Sequence, residues 1–323
     1  MTPTEPMRLS VTHDTRYDYQ PAVATALHLI HLSPPNTPRQ TVLDHRLDVH
    51  PAPTARSDSL DVYGNRRSVV ELDRPHDGLL VRARSILDTT APPHAPSTIA
   101  WEAARDAFTY HAGHTYGASS EFVFPSVYVH PGDAFAAYAQ SCFTPGRPLI
   151  EAGRALMHRV HTEFTYRADV TEINTPAAVA LQRREGVCQD FAHVMLACLR
   201  SLGLAARYVS GYLLTQPPPG MPRLIGSDAS HAWISVFLPD LPDPSGQEGS
   251  GGMGAWYDLD PTNARDGWST PGEDYIRLAV GRDYADVSPL RGVIRGAGEH
   301  RLHVGVTVEP FQADQLPPDG VSA

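Results

Sequence analysis

Between residues 9 and 87 the apolar side chains of this chain recur at every second position; after a proline-rich break over 90–96 they recur at every third or fourth. The two periods demand different backbones. Period two places alternate side chains on opposite faces of a half-buried strand, whereas spacings of three and four line one face of a helix. Leu9, Val11, His13, Thr15, Tyr17 and Tyr19 share one face of the first strand, and Leu43, His45, Leu47 and Val49 share one face of another. The segment LDVYGNRRSVV, 60–70, reads as a hairpin with Gly64-Asn65 at its turn. Val81, Ala83 and Ser85 then alternate with Arg82 and Arg84. Residues 1–90 are therefore expected to form an antiparallel β-domain. Pro92, Pro93 and Pro96 lack ladder donors and restrict the residues before them, which makes this stretch a boundary.

Residues 91–145 read as a linker and helical segment, and 146–275 as a second unit. There Ile150, Gly153, Leu156, Met157, Val160 and Phe164 form one apolar helical stripe. Thr175-Pro176 is a helix start, with Thr175 as N-cap and Pro176 at the first helical position, for a short helix ending near 184. A further helix over 188–202 is closed by Gly203. Strands over 207–214, 230–238 and 255–260 follow, separated by a Pro/Gly loop at 216–227 and a Gly/Ser loop at 244–254. A helix followed by antiparallel strands is an α+β order. In a C-terminal extension over 276–323, Leu302, Val304, Val306 and Val308 alternate as one more strand, whose partner sheet the pattern does not identify. The final dozen residues are expected to be frayed, and no internal repeat is present.

The length, 323 residues, suits about two ordinary domains. No stretch approaches the ~18 to 20 uninterrupted apolar residues of a membrane span, and the opening MTPTEP lacks the charged-then-apolar order of a secretory signal. A cytoplasmic location with no membrane partner is the expectation. Three cysteines, Cys142, Cys188 and Cys198, leave at least one unpaired, which argues against a disulfide framework. A net charge of -10 provides no general basic footprint for nucleic acid. The sixteen histidines include no His-Glu-x-x-His spacing, no cysteine pair has zinc-finger spacing, and Asp258-Leu259-Asp260 is not continued by a calcium loop. Neither a metal nor another cofactor is expected.

GVCQDFAH, 186–193, puts Cys188 at the mouth of a helix. A thiol attacks carbonyls as thiolate, and a helix N-terminus stabilises that anion through its unpaired N–H groups and positive dipole end. Cys198, ten residues deeper on the apolar side, reads as a core residue. A nucleophilic thiol needs a base in reach and a third group to orient it. His193 is nearest in sequence, but five residues along a helix turn about 500°, which points it away from Cys188. His231, in ASHAW (229–233), begins a strand instead. If the strands carrying His231 and Asp260 pair with these two residues opposed, the turn centre falls between Ser245 and Gly246, inside the Gly/Ser loop. That register leaves Asp258 opposite Trp233 and brings the Asp260 carboxylate to the imidazole.

The order GVCQDFAH, ASHAW, WYDLDPTN resembles the transglutaminase-like superfamily. The resemblance implies a papain-like core with a Cys-His-Asp triad in that chain order: Cys188 as nucleophile, His231 as base, Asp260 as orienting carboxylate. Residues 8–88 resemble the β-domain that precedes this core in a bacterial branch, and GRDYADV, 281–287, resembles its C-terminal extension; the stretch 91–145 is the least familiar. The implied activity is thiol-dependent acyl transfer or amide hydrolysis on a protein or peptide substrate through an acyl-enzyme. The Cys188 N–H is one candidate oxyanion donor and Tyr166, in Phe164-Thr165-Tyr166, a candidate for the second. Whether an amine or water accepts the acyl group stays open, as do the substrate and the oligomeric state. The alternative is a non-catalytic binding or scaffolding protein that keeps the fold.

All 26 basic residues are arginine and none is lysine, a bias first attributable to genome composition. It has a chemical consequence: an enzyme that transfers acyl groups to lysine amines would have no side-chain acceptor of its own. The untagged protein incubated alone should form no isopeptide-linked ladder on a reducing gel, and covalent oligomers there would contradict this.

Overall fold

The computed structural model describes residues 5–113, 116–167, 174–214, 229–242, 253–296 and 298–311. The loop expected at 216–227, most of that expected at 244–254, including the turn centre at Ser245 and Gly246, and the final dozen residues lie outside the described residues. The first half contains β1 (Met7–Val23), β2 (Thr25–Ser33), β3 (Gln40–His50), β4 (Ala55–Leu60), β5 (Arg66–Leu72) and β6 (His76–Thr89). The period-two reading holds along β1, where Leu9, Val11, His13, Thr15 and Tyr19 are buried while Arg8 and Arg16 are exposed. It holds along β6, where Val81, Ala83 and Ser85 are buried between Arg82 and Arg84. It fails at Leu43, which is exposed. Val42 faces Leu87 and Asp44 faces Ile86, so Leu43 is an extra residue without an opposite, a bulge that interrupts the alternation. The hairpin of β4 and β5 turns through 61–65, where Gly64 takes φ +82°, a conformation open to glycine at little cost.

The second half begins with α1 (Trp101–Asp106), a 3-10 turn at Ala118–Val123, α2 (Asp133–Gln140), α3 (Leu149–Glu163) and β7 (Thr165–Tyr166). It continues through α4 (Ala177–Arg183), β8 (Glu185–Gly186), α5 (Cys188–Ser201), β9 (Ala206–Leu213), β10 (Ser230–Pro242), β11 (Met253–Asp260) and β12 (Arg265–Trp268). Then come β13 (Tyr275–Gly281), the short α6 (Tyr284–Val287), β14 (Leu290–Arg295) and β15 (Glu299–Pro310). The expected stripe of α3 is buried from Ile150 to Val160. Helix α4 starts one residue later than the sequence suggests, with Pro176 rather than Thr175 as its capping residue, because Pro176 is extended at ψ 139°. Helix α5 is buried without interruption from Asp190 to Arg200, the mark of a helix enclosed on all sides. It packs against β9 and β10 and against α2, α3 and α4. No helix among the described residues is long and apolar enough to cross a membrane.

Strands β12, β11, β10, β9 and β13 form one antiparallel sheet in that order. The β-domain consists of two four-stranded sheets, ordered β15, β1, β6, β3 and β14, β2, β5, β4. The segment from 276 on, read from sequence as an extension with one strand, thus contributes to three sheets: most of β13 to the core, β14 to the pairing with β2, and β15 to the pairing with β1. The chain leaves the β-domain, builds the core, and returns.

Strand β13 is an edge of the core sheet, bonded to β9 on one side. Its other side is met by side-chain amides of the β-domain. Gln40 Nε2 donates to the Arg277 carbonyl at 2.9 Å and its Oε1 accepts from the Arg277 N–H at 2.8 Å. Asn65 repeats the pattern at Val280, donating at 2.7 Å and accepting at 2.8 Å. Both amides are buried, so each stands in for a missing strand. Asn65→Ala should orphan a buried donor and acceptor and lower unfolding free energy by about 1–3 kcal/mol per group. Denaturant unfolding that matches the parent protein would show that the contact holds nothing.

Candidate active site

Cys188 opens α5 after the two-residue strand β8, whose partner β7 carries Tyr166 opposite Gly186. Asp190 reaches back to accept the Val187 N–H at 2.8 Å, which satisfies one donor of the helix mouth and leaves the thiol clear of the cap. Gly186 is required here: a Cβ at this position would lie 2.5 Å from Asp190 Oδ2. Cys188 is partly exposed, whereas Cys142 and Cys198 are buried free thiols, and burial pushes the Cys198 thiol well up.

His231 lies at the start of β10 and Asp260 at the end of β11. The observed register sets Ile234 opposite Leu259 and Ser235 opposite Asp258, which places Asp260 level with Trp233. The sequence-based register, with His231 opposite Asp260 and Asp258 opposite Trp233, is therefore off by two residues. Four residues of β10 from Leu238 to Pro242 span only two of β11 from Ala255 to Met253, an irregularity that loop composition does not reveal. A slip of two preserves parity, so His231 and Asp260 still share a face as diagonal neighbours. Their side chains meet, Nε2 to Oδ2, at 2.7 Å.

A carboxylate only accepts, so His231 Nε2 carries a proton and Nδ1 is the nitrogen left for the Cys188 thiol, which hydrogen-bonds the imidazole. Burial alone would lower the His231 pKa, but the charge and hydrogen bond of Asp260, with a smaller contribution from Cys188, raise it to about 10. Burial likewise works against the Asp260 carboxylate, yet the His231 charge and its hydrogen bonds hold it below the usual range. Its Oδ2 also accepts from Tyr275 Oη at 2.6 Å and Asn263 Nδ2 at 2.8 Å, and its Oδ1 from the Thr262 N–H at 2.9 Å. Trp233 stacks on the His231 ring at 6.1 Å and Tyr275 meets it edge-on at 5.9 Å.

Asp258, two residues away and equally buried, belongs to another network. It accepts from Ser235 Oγ at 2.5 Å and Trp233 Nε1 at 3.3 Å, and pairs with Arg277 at 3.1 Å. His193 faces elsewhere, stacked on Tyr128 at 5.5 Å, as its helical angle requires. Tyr275 and Tyr208 carry no signal in the sequence, and Trp233, in the quoted ASHAW motif, carries none for its stacking on His231. Asn263 sits in the quoted DPTN motif, but no spacing signals a tyrosine fifteen residues beyond Asp260.

Cys188 and His231 open on a cavity of about 360 Å³. Tyr166 flanks it, 54% exposed, with its ring edge-on to Phe191 at 6.2 Å. Tyr208 lines it, fully buried, its pKa raised well above the ordinary value by burial and by the proximity of Cys188. Among the described residues no group of three or more His, Cys, Asp or Glu is placed to hold a metal ion.

Residues 9–88 match the bacterial transglutaminase-like N-terminal region and 136–261 match the transglutaminase-like superfamily. The chain is 43% identical over 315 residues to an uncharacterized protein of Mycobacterium tuberculosis, covering 96% of this chain and 95% of that one. It is 31% identical over 312 residues to an uncharacterized protein of Mycobacterium leprae, covering 93% and 98%. The crystal structure of a "putative cysteine protease" from Cytophaga hutchinsonii is similar across 97% of this chain and 94% of that one, with a TM-score of 0.69 at 20% identity, a likeness of fold. A core of buried helix and antiparallel sheet, an all-β N-terminal region and these sequence matches lead to one conclusion: the chain belongs to the transglutaminase-like superfamily, with the bacterial transglutaminase-like N-terminal region.

Proposed function

We propose that this protein is a cysteine enzyme that transfers or hydrolyses acyl groups of protein or peptide substrates, with Cys188 as nucleophile, His231 as acid and base, and Asp260 as the group that orients His231. The observation that carries the reading is the hydrogen-bonded series from the Cys188 thiol through His231 to a fully buried Asp260, at the wall of one cavity. A surface ion pair would need no such burial or saturation of the carboxylate.

The steps follow from the groups. The Cys188 thiolate attacks an amide carbonyl carbon, and the C–N bond breaks as the His231 imidazolium gives its proton to the departing amine. A thioester remains. An acceptor amine or water then attacks the thioester carbonyl, gives its proton to the imidazole, and the C–S bond breaks to restore the thiolate. The Cys188 N–H, freed by its position at the helix mouth, and Tyr166 are the proposed oxyanion donors. Amine acceptors make the activity transamidation and water makes it hydrolysis; a scaffold that only keeps the fold has no need of a buried carboxylate on the histidine beside the thiol. Mass spectrometry of a candidate peptide incubated with and without a primary amine distinguishes these activities, and Cys188→Ala should abolish both while keeping the fold.

Asp260→Asn should lower turnover roughly 10² to 10⁴-fold, by analogy with orienting aspartates in serine enzymes. Asp258→Asn should leave turnover near that of the parent but lower stability by roughly 3 kcal/mol, because it breaks a buried ion pair with Arg277. Kinetics and unfolding measured on both variants check the division; a crippled, stable Asp258→Asn would reverse the roles.

The raised His231 pKa sets a pH limit. Its imidazolium persists through neutral pH and is lost as pH rises through about 10, so the alkaline limb of the rate profile should lie there. In Asp260→Asn the main cause of the raised value is gone, and that limb should move toward neutral pH. An unmoved limb in the variant would place the titration on another group.

A further inference from the structure

Resting on that catalytic reading, we infer that the β-domain forms one wall of the substrate site, and that the acyl donor carries an uncharged, apolar side chain beside the carbonyl that Cys188 attacks. The cavity that holds Cys188 and His231 is also lined by His13, Thr15 and Tyr17 of β1 and by Leu302 and Val304 of β15. Their placement follows from strand pairing. Thr15 lies opposite Val304 and Tyr17 opposite Leu302, and opposed residues share a face. Further along the same face, Val11 and Val308 are buried in the β-domain core. One continuous strip of sheet therefore begins as core and ends as cavity wall.

The wall carries no fixed charge. Arg, Asp and Glu supply 19% of the chain, yet none is among the described residues that line this cavity. His13 is its one further histidine, and both ring nitrogens are engaged: Nδ1 with Tyr212 Oη at 2.9 Å and Nε2 with Thr15 Oγ1 at 3.2 Å. Burial lowers its pKa to about 4, which keeps it neutral above acidic pH. A charged side chain laid against this β-domain wall, away from Cys188 and His231, would lose hydration without meeting a counter-ion there, a heavy cost. An apolar one would cover Leu302 and Val304, which are 47% and 39% exposed.

The test uses four N-acetyl-aminoacyl chloromethyl ketones that differ only in side chain: phenylalanyl, leucyl, glutamyl and arginyl. In each the Cys188 thiolate forms an S–C bond as the C–Cl bond breaks and chloride leaves, and intact-mass spectrometry gives the rate. The phenylalanyl and leucyl probes should modify Cys188 about tenfold or more faster than the charged pair. Val304→Arg should raise the glutamyl-to-phenylalanyl ratio about tenfold by placing an opposite charge in the wall. Rates in the variant are normalised to its own reaction with iodoacetamide. Equal rates for the four probes, or an unchanged ratio in Val304→Arg, would overturn the inference. Iodoacetamide separates the two levels: if it does not label Cys188 ahead of Cys142 and Cys198, the catalytic reading itself fails, whereas rapid labelling with no discrimination among the probes sinks the substrate inference alone.

Discussion

An edge strand inside a protein leaves main-chain donors and acceptors that must find partners, and in this molecule that strand is β13. Its outer side is met by the amides of Gln40 and Asn65, each of which both donates and accepts as a neighbouring strand would. Water cannot replace these partners where both side chains are buried. The β-domain is thereby held against the core at two points three residues apart along β13. Its position there brings β1 and β15 to the cavity beside Cys188, so the closure of one sheet edge also shapes the proposed substrate site.

The two buried carboxylates of β11 divide the chemistry. Asp258 and Asp260 project from the same face and neither is exposed, so each needs a compensating charge and a full set of donors. Asp258 takes the guanidinium of Arg277, together with Ser235 and Trp233. Asp260 takes His231, a cation that can give up its proton, together with Tyr275, Asn263 and Thr262. The same residue type on the same strand can therefore serve a permanent structural charge in one case and a titratable one in the other. Tyr275 has a double part in this, because it begins β13 and donates to Asp260, linking the edge strand to the site.

Much of the candidate site's geometry was legible in the chain because its signals are local. A cysteine two residues after a glycine at a helix mouth, a histidine at a strand start and an aspartate before Pro-Thr each declare their position within a few residues, and setting His193 apart needs only the helical angle. Tyr166 was brought to the cavity, but no short-range pattern indicates its contacts. The pairing of β10 with β11 differs by two residues from the register expected from sequence because a Gly/Ser-rich loop has no unique turn centre and an irregular strand end adds to the count. His231 and Asp260 still meet, since a slip of two keeps side chains on their face. Leu43 shows the opposite case, where a single extra residue turned an expected core position outward.

The sequence by itself determined the order of an all-β region and an α+β core, the helices and strands that carry Cys188, His231 and Asp260, and a basic complement made of arginine alone. These depend on side-chain alternation, helical periodicity and residue chemistry, which act over a few positions. Only the tertiary structure decided that β14 and β15 return to pair with β2 and β1, that Gln40 and Asn65 close β13, and that the β-domain lines the cavity. Those choices join segments far apart in the chain, where strand propensity is the same for many partners and the selection is made by which buried polar groups and apolar faces can be satisfied together.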